Sequence, residues 1–206
     1  FVHVEGELAL TKQTEQVVLA KKLGQSTGEK VNVNLLALGG SNIDVFAGVN
    51  YGVDDEGNLS EDAIGLSLVD IEFGLALMTS QTTPTRKWTA LSASAASVGI
   101  AGLGDLLPTI KNLTVEVNQA TKVGDQVVDF ETKPLDIATG TGSTLTLDMS
   151  GSMGKLLRAE GDVTFKLLDF AYFKGRIGFE KYTPTKQLTL KNLNTPTALP
   201  TYATAN

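Results

Sequence analysis

Between Gly161 and Lys181 the chain reads GDVTFKLLDFAYFKGRIGFEK, and it says the same thing twice. A glycine followed by apolar residues two and four positions on occurs at Gly161, Val163 and Phe165, and again at Gly175, Ile177 and Phe179. Side chains two apart share one face of a strand, whereas a helix groups residues three and four apart. The phrase therefore predicts two strands with one apolar face, formed as a hairpin or as successive rungs, with the reversal at Leu168, Asp169 and Phe170. The chain opens on the same pattern. Phe1, Gly6 and Lys12 match Phe170, Gly175 and Lys181, and apolar Val4, Leu8 and Leu10 match Phe173, Ile177 and Phe179, at an offset of 170 − 1 = 169 residues.

Recurrence at a fixed offset marks repeat architectures. Residues 1–181 are therefore expected to be one repeat unit plus the opening strand of the next, in a window cut from a longer tandem array. Residues 182–206 read as a Pro/Thr-rich tail or the start of a next unit. Phe1 and Val4 differ by an odd number, as do Phe170 and Phe173, so neither pair shares a strand face without an extra residue. This predicts a bulge before Gly6 and before Gly175.

The rest of the chain keeps the period of two. Val31, Val33 and Leu35 alternate with asparagine, and Leu113, Val115 and Val117 repeat the pattern, as do Leu145 and Leu147. With 21 glycines in 206 residues and 42% hydrophobic residues, the balance favours strands and turns over helix. The expected fold is all-β: an elongated β-sandwich, β-roll or curled sheet of about a dozen short strands. Gly39, Gly40 and Ser41 are expected to break the strand, and Gly65 and Gly74 to divide the apolar run from Ile64 to Met78 into two strands, with a helix as the alternative for that run. The small residues between Trp88 and Ile100 suit a closely packed sheet, with a helix as the alternative.

Several chemistries are disfavoured by composition. A net charge of −6 and a pI near 4.8 repel phosphate backbones, so nucleic acid is not an expected partner. There is no cysteine, hence no disulfide or thiolate metal site. No apolar stretch reaches the length of a transmembrane helix. His3 is the one histidine, so a histidine-cluster metal site is impossible and a catalytic triad would have to be built on it. Its counterpart in the recurring phrase is Tyr172, which favours a structural role. Gly151–Lys155 lacks the spacing and the hydroxyl residue of a phosphate-binding loop, and the glycines at 102 and 104 lack a third and a βαβ setting. Asp70, Glu72, Asp129, Asp148 and Asp169 are scattered, with no placeable partner for glycoside hydrolysis.

One constellation remains. Asp54, Asp55, Glu56, Asn58 and Asp62, with Ser60 and Glu61 between them, crowd carboxylate and amide oxygens around Gly57. Ca²⁺ takes six to eight such oxygens, so these five are candidate Ca²⁺ ligands. The order departs from an EF-hand, where the glycine is sixth in the loop rather than fourth, and a merely solvated acidic loop is the competing reading.

The phrases GLSLVDIEFGLALM, RKWTALSASAASVGIAGL, LTVEVN and LLRAEGDVTFKLLDFAYFKGRIGFEK, in that order, resemble the long tandem repeats of giant bacterial surface or secreted proteins of the adhesin-like type. The resemblance covers most of residues 40–181 and carries no catalytic motif. It implies an extracellular or cell-surface setting, association with Ca²⁺-binding modules, and neighbouring repeat units or copies of the chain itself as partners. The function it implies is a non-enzymatic structural repeat module of an adhesin or fibre-forming protein. The alternative is a β-groove or barrel binding a lipid or other apolar ligand, in a trough lined by Phe165, Phe173 and Phe179. A third reading, a carbohydrate-active domain, requires a cleft with two carboxylates and aromatic platforms.

Overall fold

The alternating segments form strands throughout the computed structural model, which describes residues 1–54, 59–102, 109–167 and 170–183. The strands are β1 (Val2–Val18), β2 (Lys30–Val49), β3 (Ile64–Ser80), β4 (Lys87–Ala101), β5 (Thr109–Ala120), β6 (Leu135–Gly140), β7 (Ser143–Leu147), β8 (Lys155–Leu167) and β9 (Ala171–Thr183). Seven of them make one antiparallel sheet in the order β1-β2-β3-β4-β5-β8-β9, and β6-β7 form a separate hairpin. Among the described residues the helical content is a single 3₁₀ turn at Gly151–Met153. The all-β expectation holds, and residues 161–181 fall on the β8-β9 hairpin.

The strands are fewer and longer than the dozen short ones expected. β2 alone runs 20 residues and β3 runs 17. Gly39 and Gly40 lie inside β2, and Gly65 and Gly74 inside β3, so none of them ends a strand. Gly39 and Gly74 are instead cross-strand partners where the β6-β7 hairpin lies against the sheet. A Cβ on Gly39 would stand 2.1 Å from the Ala138 carbonyl oxygen. Glycine is needed there for the approach of one backbone to another.

The hairpin and the connection leading to it cover one half of one face, the inner face. Leu35, Met78, Trp88, Ala90 and Leu156 form the floor, and Val127, Val128, Phe130, Ile137 and Leu147 close over it. Asn118 Nδ2 donates to the Val128 carbonyl at 2.7 Å, and Trp88 Nε1 to the Gln126 carbonyl at 2.9 Å, so the connection is pinned by hydrogen bonds as well as by apolar burial. Beyond the core the inner face is charged. Arg158 bonds Glu116 at 2.9 Å and Glu180 at 2.6 Å, making an ion ladder over β5, β8 and β9.

The opposite, outer face is apolar from one edge of the sheet to the other. One cross-strand row runs Leu10, Leu38, Leu75, Leu91, Val117 and Leu157; the next joins Leu8, Phe73, Val115 and Phe179 through Gly40, Ala93 and Ala159. A third runs Val4, Val45, Leu68, Val98, Ile110 and Val163. Between the last two rows the sheet is creased. Register shifts fall at Gly6, between Gly40 and Val45, and between Lys111 and Thr114. Asn42, Asp70 and Asn112 sit there with φ of 50°, 53° and 51°, a left-handed conformation that asparagine and aspartate tolerate better than other side chains. The Asp70 amide donates to the Asp44 carboxylate at 2.8 Å across the crease.

The register shows that β2, β3, β4 and β5 each carry one more residue than β1 and β8 across this line. One extra residue exchanges the two faces of a strand. The sequence changes phase at the same place: Leu66 and Leu68 are even, Ile71, Phe73, Leu75 and Leu77 are odd. The two changes cancel, and the apolar residues stay on the outer face along the length of each strand.

Ion pairs tie the connection to the sheet. Arg86 bonds Glu29 at 2.7 Å and Asp125 at 3.0 Å, and Lys133 bonds Glu15 at 2.6 Å. Hydrogen bonds from Arg86 hold the Glu29 carboxyl below its ordinary 4.5, and those from Lys133 do the same for Glu15, each against the opposing effect of burial. A lowered folded pKa contributes stability that is complete above the unfolded value and lost as pH falls through the folded one. Thermal midpoints are therefore expected to fall as pH drops from about 5 to about 3. Arg86→Met should flatten that fall, and an unchanged slope in this variant would remove Glu29 as a source.

Candidate functional site

The two matching segments occupy the two outermost positions of the sheet. β1 and β9 each pair with one neighbour, β2 and β8, and among the described residues no strand covers the other edge of either. Leu8, Leu10, Ile177 and Phe179 all project from the outer face. The apolar residues of both segments are open to solvent: Phe1, Val4, Leu8 and Leu10 are 72%, 61%, 66% and 69% exposed, and Phe170, Phe173, Ile177 and Phe179 are 88%, 47%, 51% and 56% exposed. They share an environment, and it is an uncovered one. The bulge expected between Phe1 and Val4 is absent, because β1 pairs with β2 without a shift from Val2 to Glu5; the register shift lies at Gly6 and puts the extra residue on β2, not on β1. At Gly175 there is none, because β8 and β9 pair without a shift from Lys155 to Leu167.

On the inner face, beyond the crease, the rings of Phe1, His3 and Phe46 gather on Tyr51, with centroids 5.6, 4.3 and 5.4 Å away. His3 Nε2 stands 3.6 Å from the Glu5 carboxylate. A hollow of about 310 Å³ lies beside them, lined in part by Glu5, Asp44 and Ser67. Glu5 and Asp44 are direct cross-strand partners. Two carboxylates thus stand near aromatic rings, but Phe46 is 2% exposed and Phe1 and His3 each stack one face on Tyr51. A larger depression of about 620 Å³ is framed by charged and amide side chains, Lys111, Asn112, Asp162, Lys174 and Arg176. Within it Asn112 Nδ2 donates to Asp162 at 2.8 Å, and Arg176 pairs with Glu160 at 2.9 Å.

Of the candidate Ca²⁺ ligands, Asp55, Glu56 and Asn58 lie outside the described residues. Asp62 is exposed in a turn. Val53 and Leu59 form an antiparallel bridge at the base of the loop, and the Ser60 amide donates to the Gly52 carbonyl at 2.8 Å, so the loop leaves and rejoins the fold at one point. No three His, Cys, Asp or Glu side chains among the described residues gather as a metal site. No described helix is long and apolar enough to cross a membrane.

Sequence reasoning missed the outer face as a continuous surface. The signal was present in the phase change of β3, but it becomes a surface only when seven strands are set in register. No protein-family model matches the chain, and no curated protein or solved structure is detectably similar to it.

Proposed function

We propose that this chain is a non-enzymatic structural module that carries a β-sheet from one unit to the next in a large extracellular bacterial surface protein of the adhesin-like kind. The observation that supports it is the placement of the matching segments at opposite free edges of one sheet. Six strand-to-strand steps separate β1 from β9, and an even number of antiparallel steps leaves both running in the same direction. Their apolar residues also face the same way. A strand so placed serves as the last strand of one unit and the first of the next, pairing through the edge that β8 leaves free. Each unit then adds six strands, and only the array's ends keep an open edge.

A chain carrying residues 1–169 twice and then residues 170–183 tests the idea. Small-angle scattering should give one rigid particle, longer than the single unit by about 29 Å, six strand spacings, that unfolds in a single transition above the single-unit midpoint. Two beads unfolding independently at the single-unit midpoint would reject the shared strand.

The lipid-binding alternative draws support from the same exposed face, since Phe173 and Phe179 lie on it uncovered. It ranks second because ligand sites are concave and enclose most of the ligand, and no second wall rises beside this face among the described residues.

A further inference from the structure

The outer face is too large and too apolar to suit water. Five rows, from Val2 to Leu10 on β1, span about 27 Å along the strands, and seven strands span about 29 Å across, roughly 800 Å² in plan. The largest apolar patch on an ordinary monomer is about 300–600 Å². Among the described residues of these five rows the one charged residue is Lys181, at the far edge. Arg158 and Arg176, the arginines of β8 and β9, are instead paired with carboxylates on the inner face.

We infer that this face is covered by a second copy of the chain, packed sheet on sheet about a two-fold axis. The plan area equals one partner's share of a standard stable interface, about 800 Å². The centre is free of charge, as interface cores are. Large and small residues are interleaved: Phe73 has Gly40 and Ala93 as its cross-strand neighbours, and Phe179 has Ala159. That relief lets two like surfaces interdigitate. A twisted sheet is met best by another of the same twist, and two such sheets stack about 10 Å apart at about −30°. In an isologous pair each copy offers the same patch, so a self-complementary face suffices. An anionic membrane is disfavoured by the net charge of −6. The inference does not depend on the shared-strand reading, because it uses a face and leaves both edges free.

The test is sedimentation equilibrium of the 206-residue chain at tens of micromolar, alone and with phosphatidylcholine vesicles. The unaltered chain should be a dimer that stays off the vesicles. Leu75 and Leu91 are direct cross-strand partners on β3 and β4, in the middle of the strand order, in the row of Leu10. The double variant Leu75→Lys with Leu91→Glu supplies an opposite-charge pair that a solvated sheet accommodates. In the dimer it buries charge, and it should raise the dissociation constant by about a hundredfold or more. Far-UV circular dichroism should stay that of the unaltered chain. A monomeric unaltered chain overturns the inference, as does one that moves onto the vesicles, which makes lipid the occupant. A double variant that stays dimeric with unchanged affinity also overturns it, because the copies are then joined at their edges. If the double variant fails to fold, Leu8→Lys, at an exposed outer-face position inside these rows, is read in the same way.

Discussion

Replacing Trp88 by alanine is expected to lower the free energy of unfolding by about 4 kcal/mol, the upper range for loss of a large buried aromatic. The ring is 1% exposed and stands between Met78 and Ala120 on the neighbouring strands. Its removal empties the centre of the two-layered half. It also takes the hydrogen bond from the Gln126 carbonyl, which holds the connection down at 2.9 Å, and the ring beneath the Arg86 guanidinium, 5.2 Å from its centroid. Trp88→Phe separates these effects. It restores most of the buried area but leaves the Gln126 carbonyl unpaired, so it should cost about 1–3 kcal/mol. Urea unfolding followed by circular dichroism measures both. A loss below about 1 kcal/mol for Trp88→Ala would mean that Trp88 is not at the centre of the core.

Gly39→Val should cost about 3 kcal/mol, at the upper end for overpacking. The added Cβ meets a carbonyl oxygen of the hairpin at 2.1 Å, and a backbone atom has no rotamer by which to withdraw. The hairpin must lift or the strand must bend, and either uncovers Ile137 and Leu147. Hydrogen exchange distinguishes this from general destabilisation. Amides pairing β6 with β7 should lose protection more than those pairing β3 with β4, and uniform loss would show that the contact is not local.

Much of the sheet was legible in sequence because period two survives inspection of single strands. Val31, Val33 and Leu35 read as one buried face, and they are. The doubled phrase at Gly161 and Gly175 read as a hairpin or successive rungs, and it is the hairpin: β8 and β9 pair along their whole length. The breaks were harder to read. A glycine looks the same in sequence whether it breaks a strand, as expected at Gly39, or admits a neighbouring backbone, as it does. The crease escaped because its left-handed positions are Asn42, Asp70 and Asn112, residues equally at home in turns, and because Gly175, the expected bulge, lies on a strand without one. Exposure of the edge residues was not legible either. Phe1 and Phe179 read as apolar residues seeking cover, and sequence alone does not say whether that cover belongs to the same chain.

The six steps from β1 to β9 also set a geometry for any array that continues this sheet. Each step in a twisted sheet turns by about −20° to −25°, so one unit would rotate the next by roughly 120° to 150° while advancing it about 29 Å. Such an array would be a coiled ribbon completing a turn in about three units, with a pitch near 80 Å. Its water-avoiding side would wind around the long axis as a continuous spiral stripe, presented in a new compass direction by each unit.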